Sequence, residues 1–313
     1  MMNRRRAIAL LSAAALAPRV AMAGDVHTFE RALMGTRFLI RCEHSDPATT
    51  KTAADAAFDA AERINAVASD YIADGELLSL SKHPPGEPVA VSPLLFPLLK
   101  QALDYAEKTG GLFDPTLGPL TKSWRESRRR GVLPDEKALV AAREASGWKL
   151  LTLDERTSTA TFARPGMRLD LGAIAKGQAA DAMHAVLLGY GISRSSITCG
   201  GDVRVGDPPE GEDGWRVGVR TFDETKNSRV LSLSRCAVST SGDLRQSIEI
   251  GGVRYSHIID PATGLGLTRR VAATVVAPTA ALSDALATAC CIADAERARE
   301  IAAAMGATDL FLS

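Results

Sequence analysis

The sequence predicts an α+β fold of mixed, largely antiparallel sheets with flanking helices. Three observations predict it. Short β-type runs crowd the middle of the chain and are separated by tight turns, the spacing of antiparallel pairs rather than of βαβ crossovers. Two longer helical segments, about 173–188 and 281–292, interrupt those runs. No regular βαβ alternation and no Gly-rich dinucleotide fingerprint occurs, which argues against a Rossmann frame.

Taken in order, the chain starts with a processing segment. MMNRRR is a positive n-region, AIALLSAAALA a short apolar h-region, and AMA before Gly24 a small-residue cleavage site. This predicts a signal peptide over 1–23 and one mature domain over 24–313, exported to the periplasm. Arg4-Arg5 or Arg5-Arg6 would serve as a twin-arginine pair. No other segment is apolar enough over its length to span a bilayer, so the mature chain is expected to have no transmembrane span.

Residues 26–41 alternate as a strand or hairpin around the turn Met34 to Phe38. Ala54, Ala57, Phe58, Ala61, Ile64 and Val67 recur at helical spacing within 50–68. Ser81 to Pro88 is a Pro/Gly loop. Ser92 caps a helix of about 93–108, which Gly110-Gly111 stops. Gly131 to Lys137 is a turn before a short helix to about Ser146. Strands are predicted at 149–153, 158–163, 167–170, 194–199, 202–206, 215–220, 229–233, 236–240 and 246–250. A helix at 294–304 and a strand at 308–312 close the chain.

Bulk composition narrows the function. The 37 basic and 37 acidic residues cancel, so no nucleic-acid partner is expected. Cys42, Cys199, Cys236, Cys290 and Cys291 are odd in number and irregular in spacing. They predict buried free thiols rather than a disulfide framework or a zinc site.

Several motifs carry candidate chemistry. In RLDLGAIAKG, Arg168 to Gly177, a short strand ends at Asp170 and a helix begins close by. Gly172 and Gly177 permit close approach, a helix N-terminus suits an anion, and Lys176 adds a point charge. An ordinary strand-to-helix turn reads the same way. Asp284 and Thr288 are four apart and share a helix face, a carboxylate and a hydroxyl that suit a hard cation completed by phosphate oxygens and water. They also read as a capping Asp and a packed Thr. In YSHIIDPATGLG, His257 sits where a strand enters a turn, as a structural residue or as a base for a hydroxyl. In GGLFDPTLGPL, Phe113 and Asp114 occupy an irregular loop able to wrap a planar ring or to join two lobes. CGGD, Cys199 to Asp202, is a bulge or a close ligand approach, and STSGD, Ser239 to Asp243, a polar turn.

The order of these motifs is more specific than any one of them. MGT, GGxFDPTxGPL, DLGAIAKG, GGD, TSGD, HIIDPxTG and SDALAT, in that sequence from about Phe29 to Met305, resemble the ApbE family, the FAD:protein FMN transferases. The resemblance implies a two-lobed architecture with FAD as substrate. It implies a magnesium held by the Ala173 carbonyl, Asp284 and Thr288. It places Met34, Tyr71, Leu112, Phe113, Asp114, Asp170, Lys176 and Ile258 around the flavin and its phosphates, with His257 as the catalytic candidate. Gly75 to His83 has serine where the family commonly has asparagine, which leaves a contact there open.

The reaction so implied moves FMN from FAD onto a Thr or Ser hydroxyl of an acceptor protein, as a phosphoester, and releases AMP. A membrane redox subunit with a periplasmic flavin is the expected acceptor. Two alternatives use the same motifs: a magnesium-dependent FAD pyrophosphatase giving FMN and AMP, and an exported FAD carrier without catalysis.

Overall fold

The structure, a computed structural model, describes residues 25–219, 229–243 and 247–313. The predicted signal peptide lies outside them. The chain opens with a hairpin of β1 (Val26–Leu33) and β2 (Thr36–Glu43). Its two-residue turn puts Met34 at φ 49° and Gly35 at φ 70°, the doubly left-handed geometry that matches strand twist. Helix α1 (Pro47–Ala68) starts three residues before the predicted point, because the Asp46 side chain accepts from Ala48 and Thr49 amides and Pro47 opens the first turn. α2 (Glu76–Leu80), β3 (Val89–Ala90) and α3 (Leu95–Lys108) follow.

The next element is one the pattern of motifs concealed. Helix α4 (Gly118–Arg130) begins inside the glycine-proline stretch whose sequence predicts an irregular loop. Its signals are nevertheless present: Pro119 in the first turn, Arg128 to Arg130 in the last, and Gly131 at φ 69° as the left-handed stop. After α5 (Glu136–Glu144), β4 (Leu151–Asp154) and β5 (Thr159–Phe162) make a small antiparallel sheet with β3. The predicted strand at 167–170 is an extended segment with one bridge, Leu117 to Arg168. Met167, Leu169 and Leu171 point into the core.

Helix α6 (Ala175–Gly189) leads into β6 (Ser195–Cys199) and β7 (Asp202–Val205), then the pair β8 (Trp215–Val219) and β9 (Arg229–Leu233). β10 (Ala237–Gly242) is followed by a hairpin of β11 (Ser247–Ile250) and β12 (Val253–Ser256). β13 (Ala272–Ala277) was not expected. All six of its residues, AATVVA, are buried, so the alternation that marks a half-exposed strand is missing. The chain ends with α7 (Ala280–Ile292), α8 (Ala295–Ala304) and β14 (Asp309–Leu312).

The main sheet has the order β1-β2-β6-β7-β10-β13-β14, antiparallel throughout. The fold is therefore α+β, as the turn spacing required. The largest core lies among this sheet, α1, α3 and α6 and is filled on the helix side by alanines, which let α1 and α6 approach closely. A second core joins α7, α8 and β13. All five cysteines are free. Burial pushes the Cys42 and Cys290 thiols up to about 11 and Cys291 to about 12, so they pack as small apolar groups. No helix among the described residues is long and apolar enough to cross a membrane.

Candidate active site

The first turn of α6 meets the start of α7. A Cβ on Gly177 would lie 2.3 Å from the Ala280 carbonyl oxygen, so only glycine allows this approach. The contact is close enough for the Gly177 amide to donate to Asp284 Oδ2 at 3.2 Å. Asp284 is 3% exposed. Lys176 Nζ stands 3.0 Å from Asp284 Oδ2 and 3.0 Å from Asp202 Oδ2. Burial, reinforced by Asp202, pushes the Asp284 carboxyl up to about 6 even though Lys176 and Gly177 oppose the shift. Burial disfavours the Lys176 charge, but Asp202 and Asp284 outweigh it and hold the ammonium above the usual lysine range.

Thr288 lies one turn further along α7, where its Oγ1 pairs with Ser241 Oγ at 3.1 Å. Ser239 and Ser283 pair one turn back at 2.8 Å. The N-terminus of α7 is fixed by Asp181, which accepts from the Ala280 and Ala281 amides at 2.9 Å each and contacts Arg204. One turn before Gly177, the Ala173 carbonyl receives no backbone N–H among the described residues. Asp284 and Thr288 thus set one carboxylate and one hydroxyl a turn apart on α7, and Ala173, whose carbonyl is free of such donors, lies four residues before the Gly177 contact. Among the described residues no group of three His, Cys, Asp or Glu side chains is placed to hold a metal. A cation here would take few protein oxygens and complete its shell with phosphate or water, which fits magnesium better than zinc.

A second cluster lies around Asp170. Its Oδ1 accepts from the Gly172 amide at 2.7 Å, and its Oδ2 pairs with Arg125 at 2.9 Å. Arg125 also bonds the buried Asp70, and Arg168 donates to the Asp70 carbonyl at 3.0 Å. Burial, then repulsion from Asp170, raises the Asp70 carboxyl. The Arg125 guanidinium lies 4.6 Å from the centre of the Tyr71 ring, which is 78% exposed. Tyr71 is thus a flat aromatic surface stiffened from one side by a cation. Arg125 and Asp70 had no motif to mark them; the buried charge of Asp70 is the feature that finds them.

The loop residues are placed differently. Phe113 is 2% exposed and packs in the main core. Asp114 accepts from the Thr116 amide and hydroxyl at 2.7 and 2.6 Å and from the Trp148 amide at 2.9 Å, so it ties the loop together. Leu112 and Met34 are half-buried against the same core. His257 follows β12 and is half-buried. Its backbone is well anchored: Trp124 Nε1 donates to the Ser256 carbonyl at 3.1 Å, and Ile258 N to Ser256 Oγ at 3.1 Å. Ile258 packs into the core of α7 with Leu282 and Leu286. The structure thus joins Lys176 directly to Asp284, packs Ile258 on the same helix, and groups Asp170 with Tyr71 through Arg125.

Residues 34–312 match the model of the ApbE family. A FAD:protein FMN transferase of Treponema pallidum is 34% identical over 87% of this chain and 80% of that protein. A FAD:protein FMN transferase of Vibrio cholerae is 33% identical over 78% of this chain and 74% of that protein. Among solved structures, an ApbE protein of Thermotoga maritima superposes with a TM-score of 0.83 at 29% identity, covering 92% of this chain and 94% of that one.

Proposed function

The chain belongs to the ApbE family, and from that premise we propose that it is a magnesium-dependent FAD:protein FMN transferase that attaches FMN to a Thr or Ser hydroxyl of an acceptor protein and releases AMP. The single observation that supports this most is the junction of α6 and α7. A glycine-only contact there sets an amide, an ammonium and the buried Asp284 against one another, one turn from Thr288.

The acceptor hydroxyl oxygen attacks the FMN-side phosphorus of FAD. The bond from that phosphorus to the bridging oxygen breaks, and AMP leaves with that oxygen. His257, held by the Ser256 anchors, takes the hydroxyl proton. Tyr71 offers its open face to a planar ring, and Arg125 keeps Tyr71 and Asp170 in register. Lys176 supplies positive charge beside the phosphates. A magnesium ion held by Asp284, Thr288 and the Ala173 carbonyl would neutralise charge on the leaving phosphate oxygens. The leader pattern supports export to the periplasm, and a membrane redox subunit is the proposed acceptor.

Incubating the mature protein with FAD and Mg²⁺, with and without a Thr-bearing acceptor, tests this. A fluorescent acceptor band is expected. Asp284→Ala is expected to abolish it while some FAD binding survives, and His257→Ala to slow it by ~10²–10⁴. Free FMN and AMP without acceptor labelling would make it a pyrophosphatase. FAD left intact beside a competent acceptor would make it a carrier.

A further inference from the structure

The charges around Lys176 do not cancel. Asp202 and Asp284 are each 3% exposed, and a single ammonium serves both. The two carboxylates differ in their other partners. Asp284 receives aligned hydrogen bonds from Lys176 at 3.0 and 3.3 Å and from the Gly177 amide. Asp202 Oδ2 lies at the same 3.0 Å from that nitrogen, and Lys176 is its one partner among the described residues. Asp202 is fixed by the sheet, at the first residue of β7 opposite Cys199. It therefore holds spare acceptor capacity at a fixed point beside a flexible side chain. A cation that takes Asp284 must compete with the ammonium. A buried ammonium left without a counter-charge is costly, so it needs a second carboxylate to move onto.

We propose that Asp202 is a positioning residue: it keeps Lys176 in the site as a resident counter-charge and draws the ammonium off Asp284 when a divalent cation binds there. The proposal rests on Asp284 being a metal ligand. It gives a charge rule. Asp202, Lys176 and Asp284 together carry one negative charge. Asp202→Asn leaves none, Lys176→Gln leaves two, and the double variant D202N/K176Q returns to one. A unit charge at roughly 5 Å from a divalent ion changes its affinity by about tenfold or more even in a water-like dielectric.

The measurement is a Mn²⁺ titration of the mature chain followed by electron paramagnetic resonance, without FAD, so that no turnover is needed. Relative to wild type, D202N is expected to weaken Mn²⁺ binding at least about tenfold, K176Q to tighten it, and D202N/K176Q to bring it back toward wild type. A merely structural Asp202 gives no such recovery. The D202N and double-variant pair decides the matter even where K176Q fails to fold. Wild-type affinity in D202N, or no recovery in the double variant, overturns the proposal. Asp284→Ala is the separate control: unchanged Mn²⁺ binding there overturns the metal reading itself.

Discussion

Arg125 ties together three positions that no sequence spacing connects. Its guanidinium bonds Asp70 and Asp170 and underlies the Tyr71 ring. Arg125→Ala leaves the buried Asp70 with Arg168 at 3.9 Å as its remaining side-chain cation among the described residues. Removing one partner of a largely buried pair is expected to cost about 1–3 kcal/mol, read from urea melts. FAD affinity, read by flavin fluorescence quenching, is expected to fall with it. Arg125→Lys keeps the charge but loses the fork that spans both carboxylates, so it is expected to restore little of that affinity. An Arg125→Ala protein with wild-type FAD binding would separate Tyr71 from the substrate site. At this scale the sequence was uneven. Lys176, Asp284 and Thr288 stood in motifs whose spacing allowed oxygen donors and an anion partner but read as well as a turn, a capping Asp and a packed Thr; the order of the motifs singled them out. Arg125 and Asp70 sit in stretches with no such pattern, 55 residues apart, and only folding brings them together.

Among elements, the packing of α6 on α7 decides the site. Gly177→Ala would push a methyl into the Ala280 carbonyl, which is backbone, so the two helices themselves must shift apart. Overpacking of this kind typically costs 1–3 kcal/mol, so a melting temperature lowered by several degrees is expected. The separation it forces also lengthens the Gly177 to Asp284 bond, so, on the proposed function, magnesium affinity is expected to drop along with stability. A Gly177→Ala protein as stable as wild type would show that the helices slide apart freely. Most elements were legible in advance: the β1–β2 hairpin and α1 from their period, α3 from its cap and stop, α6, α7 and α8 as helical segments, and β4 to β11 and β14 from short β-type runs between turns. Those that were not have physical reasons. β13 is buried on both faces and rich in alanine, so it shows no alternation. α4 carries its hydrophobic contacts on few residues, chiefly Leu120 and Trp124, amid charged ones. Trp124 is nonetheless the donor that anchors Ser256, so the overlooked helix supports the candidate base.

For the molecule as a whole, stability should depend on pH through His184. This imidazole is 8% exposed between α6 and the sheet. Burial, then the nearby Arg204 charge, lowers it to about 4 from its ordinary 6.5. The folded state thus disfavours the proton. The stability contributed by the neutral ring is fully present above about pH 6.5 and is lost as pH falls toward 4. That difference is worth up to about 3 kcal/mol. Calorimetry of wild type and His184→Gln from pH 7.5 to 4.5 should show the gap between them changing through this window in the sense of wild type losing ground on acidification. Parallel curves would mean His184 is not the responsible group.

The order of the main sheet has one more consequence. β14 lies at its border and pairs with β13 from Asp309↔Val276 to Leu312↔Ala273. β13, with no charge and no proline, has the composition that templates assembly between chains when its backbone is bare. Four residues at the border, opening on the exposed Asp309, cover that backbone. The last strand therefore does more than complete the fold: it occupies the hydrogen-bonding edge of an uncharged, alanine- and valine-rich ribbon, the kind of edge at which copies of a chain pair when it is left open.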